Sequence, residues 1–165
     1  MFKTPLLIAA IVSLFALAGS AAVMAGHENR NSVAPLSGSE EVPPVDTNAT
    51  GVAKFKLNET GDALHFKLNV ANIDDVVQAH IHCGGEGVNG PVVAFLYGGP
   101  LVTTQGTLSE GDLTNADVIP RPDSAECPGG IADFDDLIEA INSGGTYANV
   151  HTSANPGGEI RGQIK

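Results

Sequence analysis

The sequence predicts an all-β domain, built as a sandwich or a barrel, with a single short helix. Three observations lead to this prediction. Apolar and polar residues alternate in several short stretches, as they do in strands with one buried face. Turn-forming residues separate these stretches at regular intervals, which is typical of antiparallel sheets. Apolar residues recur at helical spacing in one stretch, residues 133–142.

Two alternating stretches in the first half of the chain predict a β-hairpin. In Gly51–Leu57 the apolar residues share one face and two lysines share the other. Ala63–Val70 alternates in the same way and places His65 outward. Residues 58–62, between them, have the composition of a turn. Upstream, residues 36–45 are predicted to form an edge segment ended by two prolines, because proline cannot donate a ladder hydrogen bond.

Further strands are predicted at Val76–Cys83, Val92–Tyr97, Tyr147–His151 and Glu159–Ile164. Val92–Tyr97 is apolar throughout, which predicts a strand buried on both faces. Thr103–Leu108 is a weaker candidate, because it contains a glycine.

The predicted helix, residues 133–142, has recognisable ends. Aspartates at its start favour the positive end of the helix dipole. Gly144 and Gly145 follow its last apolar residue and favour its termination. We therefore expect this helix to pack its apolar face, which contains Leu137 and Ile141, against the sheet.

Residues 1–25 have the organisation of a signal peptide. A lysine near the start precedes an apolar stretch, and small residues lead up to a cleavage site after Ala25 or Ala22. The alternative is an uncleaved N-terminal membrane anchor, since the apolar stretch approaches the roughly 20 residues that a bilayer requires. Both interpretations place the rest of the chain outside the cytoplasm. We expect a flexible lead-in at 26–32 and one domain at 33–165.

The charge of the chain makes two classes of partner unlikely to bind. The chain has 8 Lys and Arg against 19 Asp and Glu, and the net charge of −11 becomes −12 when Lys3 leaves with the leader. The sequence contains no cluster of basic residues, so binding to nucleic acid or to anionic lipid is not expected. A membrane is a partner only if the N-terminal segment stays uncleaved. An extracellular protein or a small ligand remains as the expected partner.

Both cysteines, Cys83 and Cys127, lie beyond the leader. An even number of cysteines in an exported chain favours one disulfide. The alternative makes Cys83 a metal ligand or a reactive thiolate beside His82. Strand alternation places Cys83 on the face of Ile81, away from His82, and this favours the disulfide.

Three of the five histidines lie in two predicted strands. His80 and His82 share one face of their strand, and His151 shares a face of its strand with Asn149. If the two strands are neighbours, three imidazoles converge, and imidazole is a good ligand for copper and zinc. The sequence therefore offers a three-histidine metal site.

A purely structural role for these histidines is the alternative. The glycine-rich segment 84–91 has many backbone groups that need partners, and His80 and His151 could donate to its carbonyls. Glu159 and Arg161, two residues apart, would then form a surface ion pair of little energetic value.

Three pairs of motifs run through the chain in a fixed order. They are Leu36–Gly38 with Glu41–Val45, Ala79–His82 with Gly87–Val93, and Tyr147–Thr152 with Gly158–Gln163. These motifs resemble the CHRD domain family, which is widespread in exported microbial proteins, and they extend over residues 36–163. The resemblance implies an immunoglobulin-like β-sandwich in an extracellular setting. It implies no known reaction.

The order of His80, His82, His151 and Arg161 is also similar to a series in copper–zinc superoxide dismutases, which are β-sandwiches too. This second resemblance implies that the three histidines ligate copper and that Arg161 attracts the superoxide anion. The two remaining histidines lie in the predicted lead-in and on an exposed face of the hairpin. Neither a bridging histidine nor a separate zinc site can therefore be assembled.

The sequence favours an exported binding or structural module, not an enzyme, that holds copper or zinc on His80, His82 and His151. Two alternatives stay open. One is a copper-dependent redox enzyme of the superoxide dismutase type. The other is a protein–protein interaction module without metal, which binds through the proline-bearing edge near Val42–Pro44.

Overall fold

The computed structural model describes residues 30–165, which fold into seven β-strands and one α-helix. The strands are β1 (Asn31–Ser37), β2 (Thr50–Leu57), β3 (Leu64–Cys83), β4 (Val92–Tyr97), β5 (Val102–Leu113), β6 (Thr146–Thr152) and β7 (Ile160–Gln163), and the helix is α1 (Phe134–Asn142). The predicted leader lies outside the described residues. The last two residues of the predicted lead-in, Asn31 and Ser32, belong to β1.

The strands form one sheet that closes on itself. Along the order β2-β1-β7-β6-β3 each strand pairs with the next in antiparallel orientation. The pairing of β2 with β3 completes a ring of five strands. Strands β4 and β5 are added along β3. The prediction of an all-β fold is therefore confirmed, and the arrangement combines features of a sandwich and a barrel.

β3 is the longest strand and pairs with four others along its length. The sequence predicted two separate strands in this region, whereas the structure has one strand of 20 residues. Asn72 and Asp75 have positive φ values of 55° and 51°, and the register of β3 shifts on both sides of Ile73. β3 is irregular at this point, and its first half pairs with β2 and β5 whereas its second half pairs with β6 and β4.

α1 covers the predicted stretch almost completely. The carboxylate of Asp133 caps the helix by accepting from the backbone N–H of Asp136 at 3.1 Å. Leu137 and Ile141 are buried with the apolar side chains of both halves of the sheet, so α1 contributes to the single core. The prediction for this helix is confirmed.

β4 does not have two buried faces, as its apolar sequence predicted. Val93 and Leu96 are buried, but Phe95 is 48% exposed. Phe95 lies opposite His80 of β3 and packs against that ring edge to face, with the ring centroids 4.5 Å apart. An aromatic residue therefore lies at the solvent boundary of the histidine-bearing face.

The predicted proline-bearing edge strand is wrong. β1 ends at Ser37, and Val42–Pro44 lies in a loop that contains a cis peptide bond before Pro43. The side-chain amide of Asn89 donates to the carbonyl of Val42 at 2.7 Å. This loop is therefore attached to the glycine-rich loop, residues 84–91, instead of forming a sheet edge.

The outer face of the β2–β3 hairpin collects basic residues that are dispersed in the sequence. Lys54 lies opposite Lys67, and Lys56 lies opposite His65. These basic side chains lie beside carboxylates of β5, since His65 contacts Asp112 at 2.8 Å. Glu110 of β5 pairs with Lys67 at 2.7 Å, so the face as a whole carries mixed charge.

Candidate metal centre

The three histidines meet on the face of the sheet that points away from the core. β3 and β6 are antiparallel neighbours, in which His80 pairs with Asn149 and Gln78 pairs with His151. His80, His82 and His151 therefore project from the same face, whereas Ile81 and Val150 project into the core. Their ligand nitrogens all lie within 4.8 Å of one another.

Two loops bury this face. His80, His82 and His151 are only 3%, 8% and 6% exposed. Nδ1 of His82 donates to the carbonyl of Gly90, in the glycine-rich loop, at 2.8 Å. Nδ1 of His151 donates to the carbonyl of Pro156, in the β6–β7 loop, at 3.0 Å. His82 and His151 thus hold these loops. Neither of the predicted donors to the glycine-rich loop, His80 and His151, bonds to a carbonyl of that loop, so the structural alternative holds only in part.

The hydrogen bonds fix the tautomers of the three rings, because a carbonyl only accepts. His151 carries its proton on Nδ1, so its Nε2 is an acceptor and receives the Nδ1 proton of His80 at 3.0 Å. His80 and His82 consequently carry lone pairs on Nε2. Both of these nitrogens are buried and lack a hydrogen-bond partner among residues 30–165. Such buried lone pairs are suited to a bound cation.

The environment keeps the rings neutral. Burial is the largest cause, and it lowers the pKa of His80 to about 3 and the pKa of His82 to about 4. Mutual repulsion with His151 acts in the same direction, and burial also lowers the pKa of His151 itself. A neutral imidazole is the form that binds a metal, so the cluster needs no deprotonation at neutral pH.

Arg161 lies beside this cluster but is buried, with 2% exposure. Its guanidinium donates to the carbonyls of Gly85 and Val88 at 3.2 and 2.9 Å and to Oδ1 of Asn89 at 3.0 Å. It also lies 3.4 Å above the ring of Tyr147, which is a cation–π contact. These contacts hold the glycine-rich loop, and they argue against the predicted role of Arg161 in guiding an anion.

The predicted surface ion pair of Glu159 with Arg161 is wrong. The Glu159 carboxylate accepts from the hydroxyl groups of Thr47 and Thr152 at 2.8 and 2.6 Å. Arg161 has the loop partners described above. The opposite charges and the two-residue spacing predicted an exposed ion pair. They carry no information about the loops that bury both residues in the structure.

Tyr147 forms a stack with its neighbours on both sides. Its ring is nearly parallel to that of His82 on β3, with the centroids 4.8 Å apart, and it underlies Arg161 on β7. The stack restrains the His82 ring, whose Nδ1 is already fixed by Gly90. The orientation of the His82 ring, a candidate metal ligand, is therefore set by Tyr147 against its face and by the Gly90 carbonyl at its edge.

Cys83 and Cys127 form the predicted disulfide, and both residues lie in the core. Cys83 is on the opposite face of β3 from His82, as strand alternation required. The bond attaches the end of β3 to the irregular segment before α1. A thiolate role for Cys83 in the histidine cluster is thereby excluded in this oxidised form.

Two buried polar residues of this region were not among the predicted site residues. Oδ1 of Asn149 and Oε1 of Glu41 are buried and lack a hydrogen-bond partner among the described residues. Asn149 shares the histidine face, a placement that strand alternation had already indicated. Glu41 packs its carboxylate against Gly158, a contact between distant loops that no local pattern reveals.

The fold and the site define a disulfide-linked, all-β domain with a buried histidine cluster on the outer face of its sheet. The chain belongs to the CHRD domain family, whose family model matches residues 32–164. The resemblance noted in the sequence is thus confirmed.

A curated relative is similar to most of this chain. Chordin from Xenopus laevis is 27% identical over 135 residues, which represent 79% of this chain and 12% of that protein. The chain thus spans about an eighth of the length of this relative. No solved structure matches the chain significantly. Within residues 30–165, no helix has the length and apolarity of a transmembrane span.

Proposed function

We propose that this CHRD domain is an exported binding module that holds a copper or zinc ion on His80, His82 and His151. The observation that carries the proposal is the convergence of three neutral imidazoles, whose ligand nitrogens lie within 4.8 Å of one another. One of these nitrogens, Nε2 of His82, is a buried lone pair without a partner among residues 30–165. Family membership and the signal-like residues 1–25 support an extracellular location. Its further partner is an extracellular protein or a small ligand.

The spacing of the nitrogens supports a common ion. Nδ1 of His80 and Nε2 of His151 lie 3.0 Å apart. Two nitrogens that each lie about 2.0–2.1 Å from one ion are separated by roughly 3 Å when the angle between them is near a right angle or somewhat wider. An ion would take the place of the shared proton, so His80 would bind through Nδ1 and carry its proton on Nε2. His151 and His82 would both bind through Nε2, since their Nδ1 atoms donate to carbonyls.

The test is the metal content of the mature protein, purified from an exported preparation and analysed by mass spectrometry. We expect close to one equivalent of copper or zinc, or uptake of one equivalent when either ion is added. The double variant His80→Ala/His82→Ala should lose it. His65→Ala, a change on the exposed face of the hairpin, should retain it. The proposal fails if the wild-type protein takes up neither ion.

The redox alternative has less support. It requires Arg161 to attract superoxide, but the guanidinium is buried and occupied by the glycine-rich loop. We therefore expect copper-loaded protein to show no superoxide dismutation above that of an equal concentration of denatured, copper-loaded protein. A rate that falls when His151 is replaced would instead favour the redox enzyme.

One observation favours protein–protein interaction as a second function. Pro43 and Pro44 are exposed in the loop that Asn89 attaches to the glycine-rich loop. Loss of self-association in Val42→Lys, measured by analytical ultracentrifugation, would support an interface at this loop. Val33→Lys, on the exposed face of β1, is the control. A wild-type protein that is monomeric at all concentrations would exclude self-association through this loop.

A further inference from the structure

We propose that Asn149 supplies a fourth ligand, its side-chain oxygen Oδ1, to the ion held by His80, His82 and His151. This inference rests on the proposed function and names one more residue of the same site. It changes the chemistry of the site, because a fourth protein ligand closes the coordination sphere that three histidines leave open.

The strand register places Asn149 within the cluster. Asn149 of β6 is the direct cross-strand partner of His80 on β3 and of Arg161 on β7. Directly opposite residues of antiparallel strands have Cβ atoms about 5 Å apart. Asn149 is also separated by two residues from both Tyr147 and His151 and therefore shares their face. Its side chain is 3% exposed.

The side-chain oxygen of Asn149 has no partner within residues 30–165, although it is buried. Arg161, the nearest cation along the register, directs its guanidinium to Asn89, Gly85 and Val88 instead. Buried oxygens without a donor are rare in folded proteins. Oδ1 of Asn149 and Nε2 of His82 are thus two unpaired acceptors on one covered face.

The position of Asn149 relative to His82 strengthens the argument. His82 pairs with Tyr147 across β3 and β6, and Asn149 is two residues from Tyr147 on the same face, so Asn149 and His82 are diagonal neighbours. In the neutral ring, Nε2 of His82 and Oδ1 of Asn149 are two acceptors without a proton between them. A cation satisfies both.

The donor set indicates the class of ion. Three imidazole nitrogens and one amide oxygen suit a divalent ion, zinc or copper(II), in a four-coordinate site. The site has no thiolate or thioether, which are the ligands that select copper(I). A closed four-ligand site is typical of a structural or binding role, so the ion would stabilise the covered face instead of activating a substrate.

A different arrangement of the Asn149 amide competes with this inference. If the amide is turned so that Nδ2 points to His82, it donates to the Nε2 lone pair and orients the ring without touching an ion. The two arrangements differ in what an aspartate would do at this position. Aspartate retains a ligand oxygen, but it has no N–H to donate.

The experiment compares Asn149→Ala and Asn149→Asp with the wild-type domain. Asn69→Ala is the control, because Asn69 lies in the half of β3 that pairs with β2 and β5 and its side chain contacts Thr107. Zinc affinity is measured by competition with a chromophoric chelator, and the ligand set is followed through the visible absorption of the cobalt(II) form. Circular dichroism establishes that each variant is folded, and Asn149→Ser replaces Asn149→Ala if that variant does not fold.

We expect Asn149→Ala to weaken zinc binding on the order of tenfold or more and to alter the cobalt spectrum. Asn149→Asp should bind zinc at least as tightly as the wild type, because the carboxylate is the stronger ligand. Wild-type affinity and an unchanged cobalt spectrum in Asn149→Ala would overturn the role of Asn149 but leave the three-histidine site in place. So would loss of zinc from Asn149→Asp with retention by Asn149→Ala. Absence of binding to the wild-type domain would overturn the proposed function as well.

Discussion

Nδ1 of His80 lies 3.0 Å from Nε2 of His151, although the two residues are 71 positions apart in the chain. The pairing of β3 with β6 creates this contact, and the bond of His151 to the Pro156 carbonyl determines which nitrogen is the acceptor. The contact links two strands and, through Pro156, the β6–β7 loop. We therefore expect an ion bound at the three histidines to affect the stability of the whole domain.

Zinc should stabilise the domain through this contact. An ion that binds only the folded state adds about 2.7 kcal/mol when its free concentration is 100 times Kd. For a domain of this size we expect a rise in Tm of roughly 10 °C. His151→Leu should abolish the rise measured by scanning calorimetry, and His65→Leu should preserve it. A full rise in His151→Leu would mean that zinc is held elsewhere.

The disulfide should contribute to stability without contributing to metal binding. Cys83 and Cys127 are 44 residues apart, and a bond closing such a loop stabilises by about 3–4 kcal/mol in the chain-entropy description. Cys83→Ala/Cys127→Ala should lose about that amount in urea titrations. Its zinc affinity should stay near that of the wild type, because Cys83 lies on the core side of β3. A folded double variant that no longer binds zinc would contradict this separation of roles.

Strand alternation in the sequence was sufficient to place the three histidines on common faces. The assignment of His80 and His82 to one face depends only on their spacing of two residues, because successive side chains of an extended backbone point to opposite faces. The pairing of β3 with β6 depends on distant contacts, so the convergence with His151 was a hypothesis until the sheet order was known. The oxidised pair Cys83–Cys127 was likewise predictable from number and location.

The errors have a common physical cause, which is burial by loops. The charge of Arg161 predicts a surface residue, yet the glycine-rich loop covers it and accepts its hydrogen bonds. The sequence predicts two strands in place of the single strand β3, because Asn72 and Asp75 are residue types that favour turns. In the structure they have positive φ values within a continuous strand. Neither loop coverage nor a bulge leaves a periodic signal in the sequence.

Replacement of Arg161 should loosen the glycine-rich loop. The guanidinium holds three acceptors of residues 84–91 and stacks on Tyr147, a geometry that a lysine ammonium does not reproduce. We expect Arg161→Lys to lose about 2 kcal/mol of unfolding free energy and Arg161→Met somewhat more. Hydrogen exchange of the amides in 84–91 should accelerate in both. Unchanged stability and exchange in Arg161→Lys would show that charge alone is needed here.

Glu41 should make stability depend on pH. Burial raises the pKa of this carboxyl group to about 7, in spite of the opposing charge of Arg161 and the hydrogen bond to Val42. Between its ordinary value of 4.5 and pH 7, the folded state retains a proton that the unfolded state releases. The contribution of Glu41 is therefore fully present below pH 4.5 and is lost as the pH rises through 7.

Glu41→Gln removes this ionisation and tests the sign of the effect. At pH 8 the variant should be more stable than the wild type by up to about 3 kcal/mol, and the difference should vanish below pH 4.5. Taking the difference cancels the contributions of the histidines, which have the opposite sign. Glu40→Gln, at the exposed neighbouring position, is the matched control. A difference that grows as the pH falls would contradict the raised pKa.

Gly90 should be the least replaceable residue of the glycine-rich loop. A Cβ at this position would overlap the carbonyl oxygen of Cys83, so an alanine must separate the loop from the end of β3. The carbonyl of Gly90 also fixes Nδ1 of His82. Gly90→Ala should therefore reduce both the stability of the domain and its affinity for zinc.

Gly85 of the same loop offers a matched control, because a Cβ there meets no atom within 4 Å. We expect Gly90→Ala to lose about 2 kcal/mol or more in urea titrations, and Gly85→Ala to stay within about 0.5 kcal/mol of the wild type. Zinc affinity should fall only in Gly90→Ala, because only this change moves the acceptor of His82. Equal effects of the two substitutions would mean that general loop flexibility, and not the close approach of Gly90 to Cys83, controls the site.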